Sequence, residues 1–274
     1  MQPEARMPAL GILNMAGLEQ TYRLTRHIPS AEAGFFIRHY WIVSWDLEDR
    51  EPYPQHLIPN PCVNLVLEPG RSGIFGPATD KFTYLVKGKG RVFGVKFRPG
   101  GFYPFLQQPV SGLSGCPLRI ADVLGGDDRE WERAILSEPE EADMVRLAEE
   151  RLLPLLPARD ETVLLINRMM DRIQEDRTLT RVEELSRQFG LHIRKLQRLF
   201  HQYVGVSPKW VIKLYRLQNA AERLDGSETQ LLRLAGELGY YDQSHFIREF
   251  KAIIGQTPEE YVRSSAGQYG PRAN

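Results

Sequence analysis

Leu196-Gln-Arg-Leu-Phe200-His-Gln-Tyr-Val-Gly205-Val-Ser-Pro208 returns fifty residues later as Phe246-Ile-Arg-Glu-Phe250-Lys-Ala-Ile-Ile-Gly255-Gln-Thr-Pro258. Arg198 aligns with Arg248, Phe200 with Phe250, Gly205 with Gly255 and Ser207-Pro208 with Thr257-Pro258, without a gap. Each copy follows a short helical segment and a glycine turn, Phe189-Gly190-Leu191-His192 and Leu238-Gly239-Tyr240-Tyr241. A helix, a tight turn and a second amphipathic helix form a helix-turn-helix, whose second helix can enter the DNA major groove. Two copies in one chain make coincidence a poor explanation.

Working outward, the spacing predicts helices on both sides of each turn. Val182, Leu185 and Phe189 share one face, as do Leu196, Leu199, Phe200 and Tyr203. Gly205 can end its helix in the left-handed conformation that glycine alone adopts freely. Ser207 then caps a new helix with Pro208 at its first position, where the missing N–H is no loss. Thr257-Pro258-Glu259-Glu260 repeats the device and adds a capping box. Val211, Leu214, Leu217, Ala221 and Leu224 predict one long linking helix from Pro208 to Leu224. In the second copy Leu231, Leu234, Ala235 and Leu238 precede the turn, and Phe246, Phe250, Ile253 and Ile254 follow it. Phe200 and Phe250 belong to the core.

Residues 161–263 resemble the DNA-binding domain of the AraC/XylS family of bacterial transcription regulators. The resemblance is carried by Leu-Gln-Arg-Leu-Phe at 196–200, Gly-Val-Ser-Pro at 205–208 and Leu-Gly-Tyr at 238–240. It continues in Phe-Ile-Arg-Glu-Phe-Lys at 246–251 and Gly-Gln-Thr-Pro-Glu-Glu-Tyr at 255–261. It implies base contacts by Arg194, Gln197 and Arg198 in the first recognition helix and by Gln243, Ser244, Ile247 and Arg248 in the second. His192 departs from the family, which usually has a small N-cap there, and Ile247 departs from an often polar outward position. The implied partners are double-stranded operator DNA and RNA polymerase, with room for a small-molecule effector and a homodimer.

The residue chemistry agrees. Arginine can pair with O6 and N7 of guanine, and glutamine with N6 and N7 of adenine. Lys195, Lys209, Lys213, Arg216 and Lys251 suit phosphate contacts, which orient without specifying. From Arg187 to Arg223 eight Lys/Arg face one acid, whereas Ser227 to Ile254 hold three basic and four acidic residues. The first motif should therefore dominate electrostatic attraction. Because Arg198 and Arg248 share a repeat position, a structural pairing with a neighbouring helix stands beside the base-contact reading. His245 reads as a packing or phosphate contact.

The whole chain is 274 residues with a formal charge of zero, which splits unevenly. Residues 161–274 hold 17 Lys/Arg against 14 Asp/Glu, and residues 1–160 hold 18 against 21. The length favours two domains. No membrane-length apolar run and no basic-then-apolar leader pattern is present, so a soluble cytoplasmic protein is expected.

Residues 1–125 read as β-rich. Phe35–Trp45, Cys62–Leu67 and Gly90–Phe97 are full of β-branched and aromatic residues, and prolines and glycines separate them. Arg91, Phe93, Val95 and Phe97 alternate with Val92, Gly94, Lys96 and Arg98. The string Val95-Lys-Phe-Arg-Pro-Gly-Gly-Phe-Tyr-Pro-Phe-Leu106 resembles a segment of the N-terminal domain in some regulators of the same family. That resemblance implies a small cupin-like barrel used to sense an effector. Trp41, Trp45, Phe93, Phe97, Phe102, Tyr103 and Phe105 could line a pocket, but filling the barrel is the expected role for most of them.

No catalytic residue, cofactor or metal site is expected. His27, His39 and His56 form no metal motif, and a lone histidine among aromatics is commonly a satisfied core residue. Cys62 and Cys116 are isolated, which counts against a DNA-repair methyltransferase fused to this DNA-binding module. A sugar-binding or isomerase-type barrel enzyme with an accessory helical domain is a further alternative, and the missing His-x-His and acid pair count against it.

The expected fold class is α+β. A small β-barrel or sandwich spans 1–125, and accessory helices and a linker span 126–160, with helices at Asp128–Leu136 and Pro139–Leu153. An all-α double helix-turn-helix joined by a long helix spans 161–263, and 264–274 is expected to be a disordered tail. The accessory helices could bury themselves on the barrel or dimerise.

Overall fold

The computed structural model describes residues 22–48, 50–224 and 228–266. Positions 267–274 of the expected tail and the first 21 residues lie outside them. The chain is α+β, with strands in its N-terminal half and helices in its C-terminal half.

The described residues begin with seven strands: β1 (Tyr22–His27), β2 (Ile37–Leu47), β3 (Tyr53–Leu57), β4 (Asn64–Leu67), β5 (Gly73–Phe75), β6 (Phe82–Val86) and β7 (Gly88–Phe97). Five build an antiparallel sheet in the order β1-β2-β7-β4-β5, and β3 and β6 pair as a separate ribbon. Hydrogen bonding therefore does not close a single ring of strands among the described residues, unlike an up-and-down barrel.

Alternation sorts the faces of the sheet. Phe93, Val95 and Phe97 on β7 join Tyr40 and Ile42 on β2 in a buried core. The opposite face carries Trp41, Trp45, Val92 and Lys96, and it looks toward the ribbon across a cavity of about 560 Å³. Trp41 lies across from Gly94, and Trp45 across from Gly90. A Cβ on Gly94 would stand 2.0 Å from the Trp41 ring, and one on Gly90 would stand 2.3 Å from Trp45. The missing side chains are what let both indoles lie against the sheet. The pairing of β2 with β7 shifts between Ile37 and His39, a bulge that leaves Arg38 out of register.

Four helices cover the core face: α1 (Tyr103–Leu106), α2 (Ile120–Leu124), α3 (Asp128–Leu136) and α4 (Glu141–Leu152). Asp127 caps α3 by accepting the Arg129 N–H. Trp131, Ile135, Met144, Ala148 and Leu152 bury themselves in the same core as the sheet. The apolar stripe of the accessory helices is thus used inside the chain.

The helical half contains α5 (Glu161–Glu175), α6 (Val182–Gln188), α7 (Ile193–Leu199), α8 (Pro208–Arg223), α9 (Glu228–Glu237), α10 (Gln243–Ile254) and α11 (Pro258–Ala266). The turn after α7, Phe200–Val204, widens to π-helical hydrogen bonding before Gly205 stops it at φ 85°. Gly255 ends α10 in the same way at φ 91°. Ser207 Oγ accepts the Trp210 N–H at 3.1 Å. Thr257 and Glu260 form the reciprocal box, with contacts of 2.7 and 3.2 Å. Two apolar clusters result. Leu196, Phe200, Val211 and Ile212 share the first with α5, and Leu214, Leu217, Phe246 and Phe250 share the second. The linking helix α8 contributes to both. No helix among the described residues is long and apolar enough to cross a membrane.

The halves touch extensively. The rings of Tyr103 and Tyr203 are 4.1 Å apart, and Gln202 Nε2 donates to the Tyr103 hydroxyl. Tyr203 donates to Asp160, the N-cap of α5, at 2.6 Å. Asn167 Nδ2 donates to the Pro99 carbonyl at 3.3 Å, and His201 meets Ser111 Oγ at 3.0 Å. Ile58 packs against the second helical cluster.

His39 carries a pH dependence. Burial first, then Lys96, Arg26 and Arg38, push its imidazole down to about 3. An unfolded histidine titrates near 6.5, so the unfolded chain binds the proton that the folded chain refuses. This stabilisation is present above the unfolded value and is lost as pH falls from there toward 3. Denaturant unfolding at pH 7 and pH 5 should differ by about 2 kcal/mol more in the native chain than in His39→Gln. Equal slopes for the two proteins would refute the assignment.

Candidate nucleic-acid interface

The first helix pair is set by its turn. Gly190 sits at φ 61°, the Leu191 N–H reaches the Ser186 carbonyl at 3.0 Å, and Ser186 Oγ donates to the Leu191 carbonyl. His192 then caps α7, its Nδ1 accepting the Arg194 N–H at 3.2 Å. The imidazole does the work of the small cap it replaces. Leu196 and Phe200 anchor the helix, and Arg194, Lys195, Gln197 and Arg198 are all exposed.

The second unit follows the same plan with a different cap, since Asp242 accepts the His245 N–H at 2.7 Å. Phe246 and Phe250 are buried, Ser244, Arg248 and Lys251 are exposed, and Gln243 is partly exposed. Ile247 is half-buried against the second cluster, so its outward position is partly withdrawn. Arg198 and Arg248 stand exposed, and neither enters an ion pair among the described residues.

Lys213 and Arg216 are held differently. Glu249 of α10 meets Lys213 at 3.4 Å, Arg216 at 3.7 Å and His245 at 3.7 Å, and it accepts the Tyr240 hydroxyl at 2.8 Å. The Arg216 guanidinium lies 4.3 Å from the centre of the Tyr240 ring, and its side chain is only 16% exposed. Burial alone would raise the Glu249 carboxyl. The Tyr240 hydrogen bond and the charge of Lys213 outweigh it and hold the group below the usual carboxylate range. Burial also pushes the Tyr240 hydroxyl up to about 12. This cluster fastens α10 to α8. Lys195, Lys209 and Lys251 are more openly presented than Lys213 or Arg216. Glu249 escaped the sequence reading because its partners sit 33 and 36 residues away on another helix, beyond any local periodicity.

Among the described residues no group of three or more His, Cys, Asp or Glu side chains is placed to hold a metal. Cys62 is buried, Cys116 is exposed, and both are free thiols.

Comparison with known proteins gives two family matches. Residues 185–264 match a helix-turn-helix domain, and residues 25–116 match a domain of unknown function (DUF6597). The HTH-type transcriptional activator RhaS of Pectobacterium atrosepticum is 32% identical over 75 residues, 27% of each chain. The HTH-type transcriptional regulator ExsA of Pseudomonas aeruginosa is 32% identical over 114 residues, 40% of each chain. The match thus spans well under half the length of these curated relatives. A solved AraC-type DNA-binding domain protein from Chromobacterium violaceum is 25% identical, covers 40% of this chain and 91% of its own, and superposes with a TM-score of 0.31. The C-terminal part of the chain thus carries a helix-turn-helix domain, and it is similar to parts of HTH-type transcriptional regulators.

Proposed function

We propose that the whole chain is a transcription regulator that binds a specific operator in double-stranded DNA and catalyses no reaction. The observation that carries this reading is the exposure of Arg198 and Arg248 at one repeat position of two separately capped helices. Arg194, Gln197, Arg198, Gln243, Ser244 and Arg248 read base edges, and Ile247 offers an apolar contact such as a thymine methyl. Lys195, Lys209 and Lys251 take phosphates, while Lys213 and Arg216 chiefly hold α10 in place and lend their charge to the same face. RNA polymerase is the partner that this role requires. A soluble chain working in the bacterial cytoplasm fits it, with an effector or a second copy acting through the N-terminal half.

A footprint on genomic DNA at stated salt tests the reading. Arg198→Ala and Arg248→Ala should each weaken operator binding by about 1–3 kcal/mol and relax preference at one base pair. Lys209→Ala should weaken operator and random duplex alike. Equal losses on both DNAs for the two arginines would move them to phosphates, and no operator preference in the native chain would overturn the reading.

A further inference from the structure

The cavity between the sheet and the β3–β6 ribbon holds a charge problem. Its walls are mostly apolar, with Leu24, Trp41, Trp45, Val66, Phe75 and Val92 among them. Yet Arg26, His39 and Lys96 also face it, from three different strands. His39 and Lys96 are direct cross-strand partners, and Lys96 pairs in turn with Asn64 on β4. A row of nitrogen-bearing side chains therefore crosses the sheet at one level.

No carboxylate answers this row. None of Arg26, His39 and Lys96 enters an ion pair among the described residues. Two acids line the cavity: Asp80 is exposed, takes the Thr79 hydroxyl and pairs with none of the three, and Glu68 lies four residues beyond Asn64, about 13 Å along an extended chain. Glu68 is also engaged elsewhere. It already accepts the Tyr84 hydroxyl at 2.7 Å and faces Arg71 at 4.0 Å. His39 is 8% exposed, and its Nδ1 is buried with no hydrogen-bond partner. Burial, with Arg38 and Arg26 adding to it and only the Cys62 thiol opposing, holds the Lys96 ammonium below the usual lysine range. Two half-buried cations side by side and a buried unpaired nitrogen are costly, and a bound anion is what would relieve both. A volume of about 560 Å³ is ample for a small organic molecule.

We propose that this cavity binds an organic anion with a largely apolar body, its acid group seated against Lys96, His39 and Arg26 and its body against Trp41 and Trp45. Asn64 Nδ2 gives one hydrogen to the Cys62 carbonyl at 3.3 Å and keeps a second as a neutral donor beside Lys96, and charge-assisted hydrogen bonds supply the preference for a charged ligand over a neutral one of the same shape. The inference goes beyond the DNA-binding reading and does not rest on it.

The test uses the full chain and two fluorescent probes of matched skeleton, 1-anilinonaphthalene-8-sulfonate and the neutral N-phenyl-1-naphthylamine. The sulfonate should bind at about one per chain and roughly tenfold or more tighter than the neutral probe. Lys96→Met should abolish that preference and leave the neutral probe's affinity nearly unchanged. Arg26→Gln, at a less buried position, should reduce the preference and serves if Lys96→Met fails to fold. Val66→Trp, which fills the cavity, should block both probes. Equal affinity of the native chain for the two probes overturns the proposal. So does a sulfonate preference that survives loss of the cations, or binding that persists in a folded Val66→Trp chain.

Discussion

Truncating Phe250 to alanine is expected to destabilise the second helix-turn-helix by about 3–5 kcal/mol, the cost of a large aromatic removed from a packed core. The ring is fully buried, lies 5.7 Å from Phe246 and 5.9 Å from Tyr261, and belongs to a cluster distinct from the one around Phe200. Because α8 is the element common to both clusters, the damage should stay local. Hydrogen exchange should show early opening of α9–α11, while α6 and α7 keep their protection. Uniform loss of protection across all seven helices of the C-terminal half would show instead that the two units fold as one.

Gly205→Ala should cost about 2–5 kcal/mol, and Gly255→Ala about 1–2, although the two glycines hold the same repeat position. Both sit at positive φ, where an L-residue costs about 1–2 kcal/mol. Their surroundings separate them. A Cβ on Gly205 would meet Pro77 Cγ at 2.9 Å and the Val110 carbonyl oxygen at 3.0 Å. A Cβ on Gly255 would meet the flexible Lys81 chain at 3.1 Å. Backbone cannot step aside as a lysine can, so overpacking adds about 1–3 kcal/mol at the first site only. Denaturant unfolding of both variants measures the gap, and equal penalties would mean that the contact with Val110 yields freely.

These two glycines show what local sequence can and cannot reveal. The helices, their caps and the buried faces of Phe200 and Phe250 were legible because each depends on residues three or four apart. The neighbours of Gly205 were not, since Pro77 and Val110 are brought there by tertiary packing. The β-rich half was legible as strands, and Phe93, Phe97, Phe102 and Phe105 do pack in its core. Trp41 and Trp45 instead line the cavity. Their placement depends on Gly94 and Gly90, some fifty residues away and visible only once β2 is paired with β7. His39, read as a satisfied core histidine, is buried with an unpartnered nitrogen for the same reason. Of the interface, exposure of Arg194, Gln197 and Arg198 follows from helical spacing. The engagement of Lys213 and Arg216 by Glu249 spans two helices and left no local trace.

The N-terminal half meets the chain just beyond both recognition helices, through Pro77 and Val110 at Gly205 and through Lys81 at Gly255, while Ile58 rests on the second cluster. On the DNA-binding reading it acts as a jig. Two helix-turn-helix units joined by a single helix can swivel, and each added base pair between half-sites turns them by about a tenth of a helical repeat. A body clamped to both removes that freedom before DNA arrives, so less entropy is lost on docking and fewer spacings fit. Genomic selectivity would then reside partly in residues that never approach a base.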